Sequence, residues 1–218
     1  MKDSQDQQSH QTGMLAFARD LPNICSLAGL LSAILGIYYA VLGNFPVAII
    51  GMIWSVFFDW YDGIIARRMK GRTDEYRAFG GQLDSLIDIV SFGILPAVFL
   101  LSYGEFSPWF LPGAFVIVAS SAIRLSYFNV FGLIDDSTYM GLALDNNVII
   151  LSFVFMFEVF FSQTVFSAIL YSLCMIMAAF NLAPVRTPKF SRKWIYGLTV
   201  YTLGVTVIYG WILWSKNQ

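Results

Sequence analysis

The sequence predicts an all-α protein, a polytopic helical bundle embedded in a membrane with six to eight spans, seven being the best count, and a cytoplasmic amino terminus. Three observations carry this. Of the 218 residues, 57% are hydrophobic and 12% charged, roughly half the charge of an ordinary soluble domain. The chain therefore holds more apolar side chain than a core of its size can hide, and the excess faces lipid. The apolar residues fall in repeated runs close to the ~20 residues that a bilayer core requires, and nine of the 13 basic residues gather in two connections. A formal net charge of −1 leaves no electrostatic footprint for nucleic acid.

In chain order, residues 1–13 form a polar tail containing His10, the only histidine. With no apolar periodicity it is expected to be disordered. The tail is acidic and amide-rich, unlike a secretory signal, so the first span is expected to remain in the mature protein. Residues 14–218 read as a single membrane-embedded domain without internal repeats. Residues 14–21 mix apolar side chains with Arg19 and Asp20, which predicts an interfacial segment. Spans are expected near 24–42, 45–66, 82–103, 109–130, 148–161, 165–183 and 194–214. The turns 44–46, 104–112 and 161–163 contain no Lys or Arg. Arg67, Arg68, Lys70, Arg72 and Arg77 follow the second span, and Arg186, Lys189, Arg192 and Lys193 the sixth. The positive-inside rule places both connections in the cytoplasm, and seven spans then put the carboxyl terminus outside. On the rule the acidic loop 132–147, with Asp135, Asp136 and Asp145, is silent. Cys25 and Cys174 are isolated and read as packing residues. Trp109, Trp194, Trp211 and Trp214 lie at span ends, as interfacial belts do.

The chemistry is expected in Asp59-Trp-Tyr-Asp-Gly-Ile-Ile-Ala-Arg67 and Gly80-Gly-Gln-Leu-Asp84-Ser-Leu-Ile-Asp88. Asp59 and Asp62 are three apart and Asp84 and Asp88 four apart, so each pair shares a helix face. This places two acidic pairs at the cytoplasmic ends of adjacent antiparallel spans, where they can converge. Four carboxylates beside hydrocarbon repel and desolvate one another unless cations are present. An oxygen-only donor set suits Mg²⁺ or Mn²⁺ rather than zinc, and two such ions clamp phosphoryl oxygens. The bland alternative, acids merely paired with neighbouring arginines, explains neither the spacing nor the glycines. Gly63 and Gly80 leave room where helices and a ligand approach; Gly81 serves the same end or only packs helices.

These residues resemble the signature of the CDP-alcohol phosphotransferases, integral membrane enzymes of phospholipid synthesis: Asp59-x-x-Asp62-Gly63-x-x-Ala66-Arg67, then Gly80-x-x-x-Asp84-x-x-x-Asp88. The 12 residues between Arg67 and Gly80 exceed the family's usual spacing, which affects loop contacts such as Thr73 rather than the aspartates. The resemblance implies a CDP-linked lipid donor, CDP-diacylglycerol, bound through its pyrophosphate to two divalent ions. An alcohol attacks the lipid-side phosphorus and CMP leaves. Carried over by position, Asp59, Asp62, Asp84 and Asp88 would be metal ligands, with Asp88 the general base. Gly63, Arg67, Thr73 and Asn23 would contact the donor. A homodimer is expected from the resemblance and from the frequency of two-fold assemblies. The membrane is expected to be a bacterial or archaeal plasma membrane, with the site facing the cytoplasm.

For the acceptor, Ser91-Phe92-Gly93 with Pro96, Leu21-Pro22-Asn23-Ile24, and Arg124-Leu-Ser-Tyr-Phe-Asn129 look like the phosphatidylserine synthase branch, which makes serine the favoured alcohol. Tyr127 stands where that branch has a second arginine, and Gly141-Leu-Ala-Leu-Asp-Asn-Asn147 lacks its prolines. Another acceptor, such as glycerol 3-phosphate, an inositol phosphate or choline, is the alternative. Arg124 and Asn129 are the candidate acceptor residues, with a snorkelling interfacial arginine as the competing reading of Arg124. Glu158 stays open between a buried acid, an interfacial acid and the acceptor pocket. Arg186 and Lys189 are expected to anchor their loop and attract anionic lipid. An intramembrane prenyltransferase would not account for Gly63-x-x-Ala66-Arg67. A cation transporter would want its carboxylates near the bilayer midplane.

Overall fold

The computed structural model describes residues 13–135, 138–188 and 194–216. His10 and nearly all of the expected disordered tail, together with Asp136, Lys189, Arg192 and Lys193, lie outside them. The helices are α1 (Met14–Ala18), α2 (Leu21–Val41), α3 (Phe45–Arg68), α4 (Asp74–Asp88), α5 (Leu95–Tyr103), α6 (Leu111–Phe131), α7 (Leu144–Phe155), α8 (Gln163–Leu182) and α9 (Trp194–Lys216). Six helical segments among the described residues are long and apolar enough to cross a membrane. The expected fifth span is not one of them: its region forms the 12-residue α7 and a 3-10 turn, Glu158–Phe160.

The described helices nevertheless pass through the bundle seven times. At one end, the antiparallel strands β1 (Thr138–Met140) and β2 (Arg186–Pro188) join the connections after α6 and α8. At the other end, Gln163 donates to Glu105 at 3.0 Å, joining the turns before α6 and before α8. At about 1.5 Å per residue α7 covers about 18 Å, and the turn after it completes the crossing. Sequence periodicity did not predict the two-stranded sheet, because three-residue strands carry too little alternation. Gly141 follows β1 with φ +74°, and a Cβ there would lie 2.3 Å from the Asn181 carbonyl oxygen. Only glycine permits this seating of the loop on the end of α8.

Two further departures concern the site's scaffold. The segment expected to begin at residue 82 starts at Asp74 and runs without a break to Tyr103, so Asp84 and Asp88 lie inside a continuous helical segment instead of at its end; Asp59 is likewise nine residues before the end of α3. Arg77 is on α4, not in the loop. Immediately after Asp88 the helix widens into a π segment, Ile89–Ile94, before α5. Pro96 has no amide hydrogen to offer the Phe92 carbonyl and its ring crowds that turn. A π turn absorbs the misfit.

The core of the bundle is α3. At its crossing with α2, a Cβ on Gly51 would lie 2.8 Å from the Gly36 Cα, so the two backbones touch as small residues allow. On its other flank, Trp54 donates to Thr206 at 3.0 Å and Tyr61 and Thr199 share a hydrogen bond, fixing α3 to α9. Leu31, Tyr38, Phe115, Val130, Val200 and Val207 are exposed, as lipid-facing residues of a bundle are. The polar start of the fold is pinned separately: Phe17 of α1 stacks on Phe79 at 5.0 Å and packs on Tyr76. Residues 14–21 are thus docked on α4.

Overpacking the α2–α3 crossing should be costly. Gly51→Val should destabilise the protein by about 1–3 kcal/mol, read as a lower unfolding temperature in detergent. Gly204→Ala, where an added Cβ meets nothing within 4 Å, should leave that temperature unchanged or raise it.

Candidate active site

The aspartates converge. The carboxylates of Asp59, Asp84 and Asp88 each contribute an oxygen to a set whose members all lie within 4.8 Å of one another. Asp59 comes from α3 and the other two from α4, and the four-residue spacing stacks Asp84 and Asp88 on one face. Asp62 is rotated about 60° from Asp59 by its three-residue offset. It stands outside the trio, 7% exposed, and accepts a short hydrogen bond from Ser26 of α2. All four line one cavity of about 720 Å³.

This cavity has two walls. The first carries the aspartates with Gly63, Arg67, Arg68 and Ser85. A Cβ on Gly63 already has the Arg67 guanidinium at 3.4 Å, so this glycine leaves room for a ligand beside the arginine. The second wall comes from α6, β1 and the first turn of α7 and includes Arg124, Tyr139, Asp145 and Asn146. Arg124 is 7% exposed, donates through Nε to the Leu142 carbonyl at 2.8 Å, and lies over the rings of Phe128 and Tyr139. It is therefore an inward-facing arginine rather than one snorkelling to the interface. Asp145 accepts from Trp60 Nε1 at 2.7 Å. Burial, then the Asp145 charge, push the Tyr139 phenol above its ordinary pKa, so it stays protonated and able to donate.

Of the other expected site residues, Asn129 accepts from Ser85 at 3.0 Å, one residue removed from the lining. Asn23 and Thr73 are not brought to the cavity. Asn23 is 1% exposed and donates to the Phe17 carbonyl; Thr73 is the N-cap of α4, accepting from the Tyr76 amide. Gly80 makes room for Asn23 and Arg72, whose side-chain atoms would lie 3.0 and 2.9 Å from an added Cβ, whereas an added Cβ on Gly81 meets nothing within 4 Å. Arg72 is in turn locked to Asp20 at 2.6 Å, both side chains buried. Glu158 accepts from Tyr103, near the far end of the bundle.

Ser26, Trp60, Tyr139 and Asp145 were missed as site residues. Only Asp145 carried a signal, as an acid beside the start of an apolar run. The others are placed by tertiary contacts that spacing does not encode.

The family described as CDP-alcohol phosphatidyltransferase matches residues 19–216. The chain belongs to that family. It is accordingly an integral membrane transferase of phospholipid synthesis. It is 37% identical over 111 residues to the archaetidylserine synthase of Methanothermobacter thermautotrophicus, a match covering 50% of this chain and 47% of that protein. It is 28% identical over 176 residues to the CDP-diacylglycerol–serine O-phosphatidyltransferase of Methanocaldococcus jannaschii, covering 80% and 78%. The Helicobacter pylori enzyme of the same name is 23% identical over 218 residues, covering 88% and 90%. The donor set fits the divalent ions that the family uses: three clustered carboxylates with Asp62 and Asp145 in the same cavity, and no histidine or cysteine in its lining.

Removing one partner of the buried Asp20–Arg72 pair should cost about 3 kcal/mol. Asp20→Asn and Arg72→Met should each lower the unfolding temperature, and the double variant should lose less than the sum, a coupling read by a double-mutant cycle.

Proposed function

We propose that the protein transfers a phosphatidyl group from CDP-diacylglycerol to the hydroxyl of L-serine, releasing CMP, at a site facing the cytoplasm. The observation that carries the reading is the convergence of the Asp59, Asp84 and Asp88 carboxylates in a cavity that also holds Arg67 and a buried Arg124. The names of the relatives support serine as the acceptor, and a carboxylate-bearing acceptor suits the second arginine. The basic residues Arg67, Arg68, Lys70, Arg72 and Arg77 lie near the cavity end of the bundle, which supports the cytoplasmic orientation.

Asp59, Asp62, Asp84 and Asp88 would hold two Mg²⁺ or Mn²⁺ ions, which when bound supply neutralisation of the donor's pyrophosphate and of charge developing on its oxygens. Arg67 binds the pyrophosphate by charge-assisted hydrogen bonds, in the space that Gly63 leaves. Arg124 orients the acceptor by its carboxylate. Asp88 accepts the hydroxyl proton as the hydroxyl oxygen attacks the lipid-side phosphorus. The bond from that phosphorus to the CMP oxygen breaks, CMP departs with the electron pair, and Asp88 later releases its proton to water. Ser26 restrains Asp62. Asn129, through Ser85, and Asn23 and Thr73, through the α1–α4 frame, support the walls. A homodimer is part of the same proposal.

The test is CMP release by the full chain in detergent with CDP-diacylglycerol, Mn²⁺ or Mg²⁺, and serine, glycerol 3-phosphate, inositol phosphate or choline offered separately. Serine should be the acceptor used; CMP release with another alcohol alone would overturn that choice. Asp88→Asn should lower turnover about 10³-fold with donor binding largely retained; loss of donor binding would remove its assignment as base. Arg124→Ala should raise the KM for serine and leave that for the donor unchanged.

A further inference from the structure

We propose that Asp145 is the binding site for the acceptor's ammonium group, so that the enzyme selects an alcohol bearing both an amine and a carboxylate. The inference rests on the reading of serine as acceptor and names the residue that recognises its amine.

The second wall of the cavity carries two opposite charges, Arg124 and Asp145. Among the described residues the ion pairs are Asp20–Arg72 and Asp74–Arg77, so Arg124 and Asp145 make no direct ion pair with each other. Each is held instead by neutral groups. The Arg124 Nε donates to the Leu142 carbonyl at 2.8 Å, with its guanidinium over the rings of Phe128 and Tyr139. Asp145 Oδ2 accepts from the Trp60 indole at 2.7 Å. Charges withdrawn from water without a direct counter-ion are costly unless a ligand completes them. A zwitterion completes both at once, its carboxylate on Arg124 and its ammonium on Asp145. Glycerol 3-phosphate and inositol phosphate bring no cation for Asp145, and choline brings no anion for Arg124.

Trp60 also fixes where the amine sits. It lies between Asp59 and Asp62 on α3, so its hydrogen bond ties Asp145 to the turn that presents the aspartate site. An amino alcohol seated on Asp145 is thereby held beside the aspartates, with a hydroxyl two carbons from its nitrogen free to reach them. Asp145 comes from α7, a different element from every member of the carboxylate trio.

The test compares serine with 3-hydroxypropionate, the same molecule without its amine, using the purified full chain, CDP-diacylglycerol and Mn²⁺. The wild type should favour serine, and Asp145→Asn should lower kcat/KM for serine about 30-fold, chiefly through KM. The variant should leave 3-hydroxypropionate turnover within about twofold, erasing the preference. Trp60→Phe removes the indole donor that positions Asp145 but leaves its carboxylate, and should lower the preference only in part. The inference is overturned if Asp145→Asn keeps the serine preference, if it lowers turnover of both acceptors equally, if it abolishes Mn²⁺ binding, or if Trp60→Phe reproduces its loss. A wild type that uses serine alongside such a result discards Asp145 alone. A wild type that releases CMP only with another alcohol discards the serine reading and the inference together.

Discussion

Carboxylates held close together inside an apolar bundle are the constraint on which the structure depends. Asp59, Asp84 and Asp88 are brought to within 4.8 Å against their mutual repulsion and their loss of water. The scaffold must therefore be stiff. Gly36 and Gly51 let α2 and α3 touch, Trp54 and Tyr61 bond α3 to α9, and the Asp20–Arg72 pair with Phe17 fastens α1 to α4. The π segment directly after Asp88 lets Pro96 be accommodated without disturbing the turn that carries the acids.

The aspartate pairs were legible because helical spacing is local: three and four residues fix a shared face whatever the tertiary context. The membrane class was legible because lipid-facing excess is compositional. The seven passes were legible as well, since each predicted turn is a real reversal, although α7 proved too short to be recognised as a span by length alone. What remained hidden were contacts between distant segments. Ser26 reaches Asp62 across 36 positions and Trp60 reaches Asp145 across 85, separations that no periodicity encodes. Asn23, Thr73 and Gly80 show the converse: motif membership marked them as important, and the structure gives each a place in the frame around α1, α2 and α4.

The near-neutral net charge of the chain conceals a division of labour inside the cavity. One wall is acidic and suited to cations and the diphosphate they bind; the other offers one guanidinium and one carboxylate, each hydrogen-bonded to a neutral partner. The sheet that joins β1 to β2 makes this second wall possible, because it seats Tyr139 and the start of α7 over α3 and α4. On the proposed reading, donor chemistry resides on the adjacent helices α3 and α4 and acceptor selection on α6 and the first turn of α7.

The central claim, that the converged carboxylates are a divalent-cation site, is tested most directly by titrating the full chain in detergent with Mn²⁺ and following free ion by electron paramagnetic resonance. The account predicts saturable binding of about two ions per chain, strongly weakened by Asp84→Asn in a protein that keeps its wild-type unfolding temperature. Binding that does not saturate, or that is unchanged by Asp84→Asn, would contradict it.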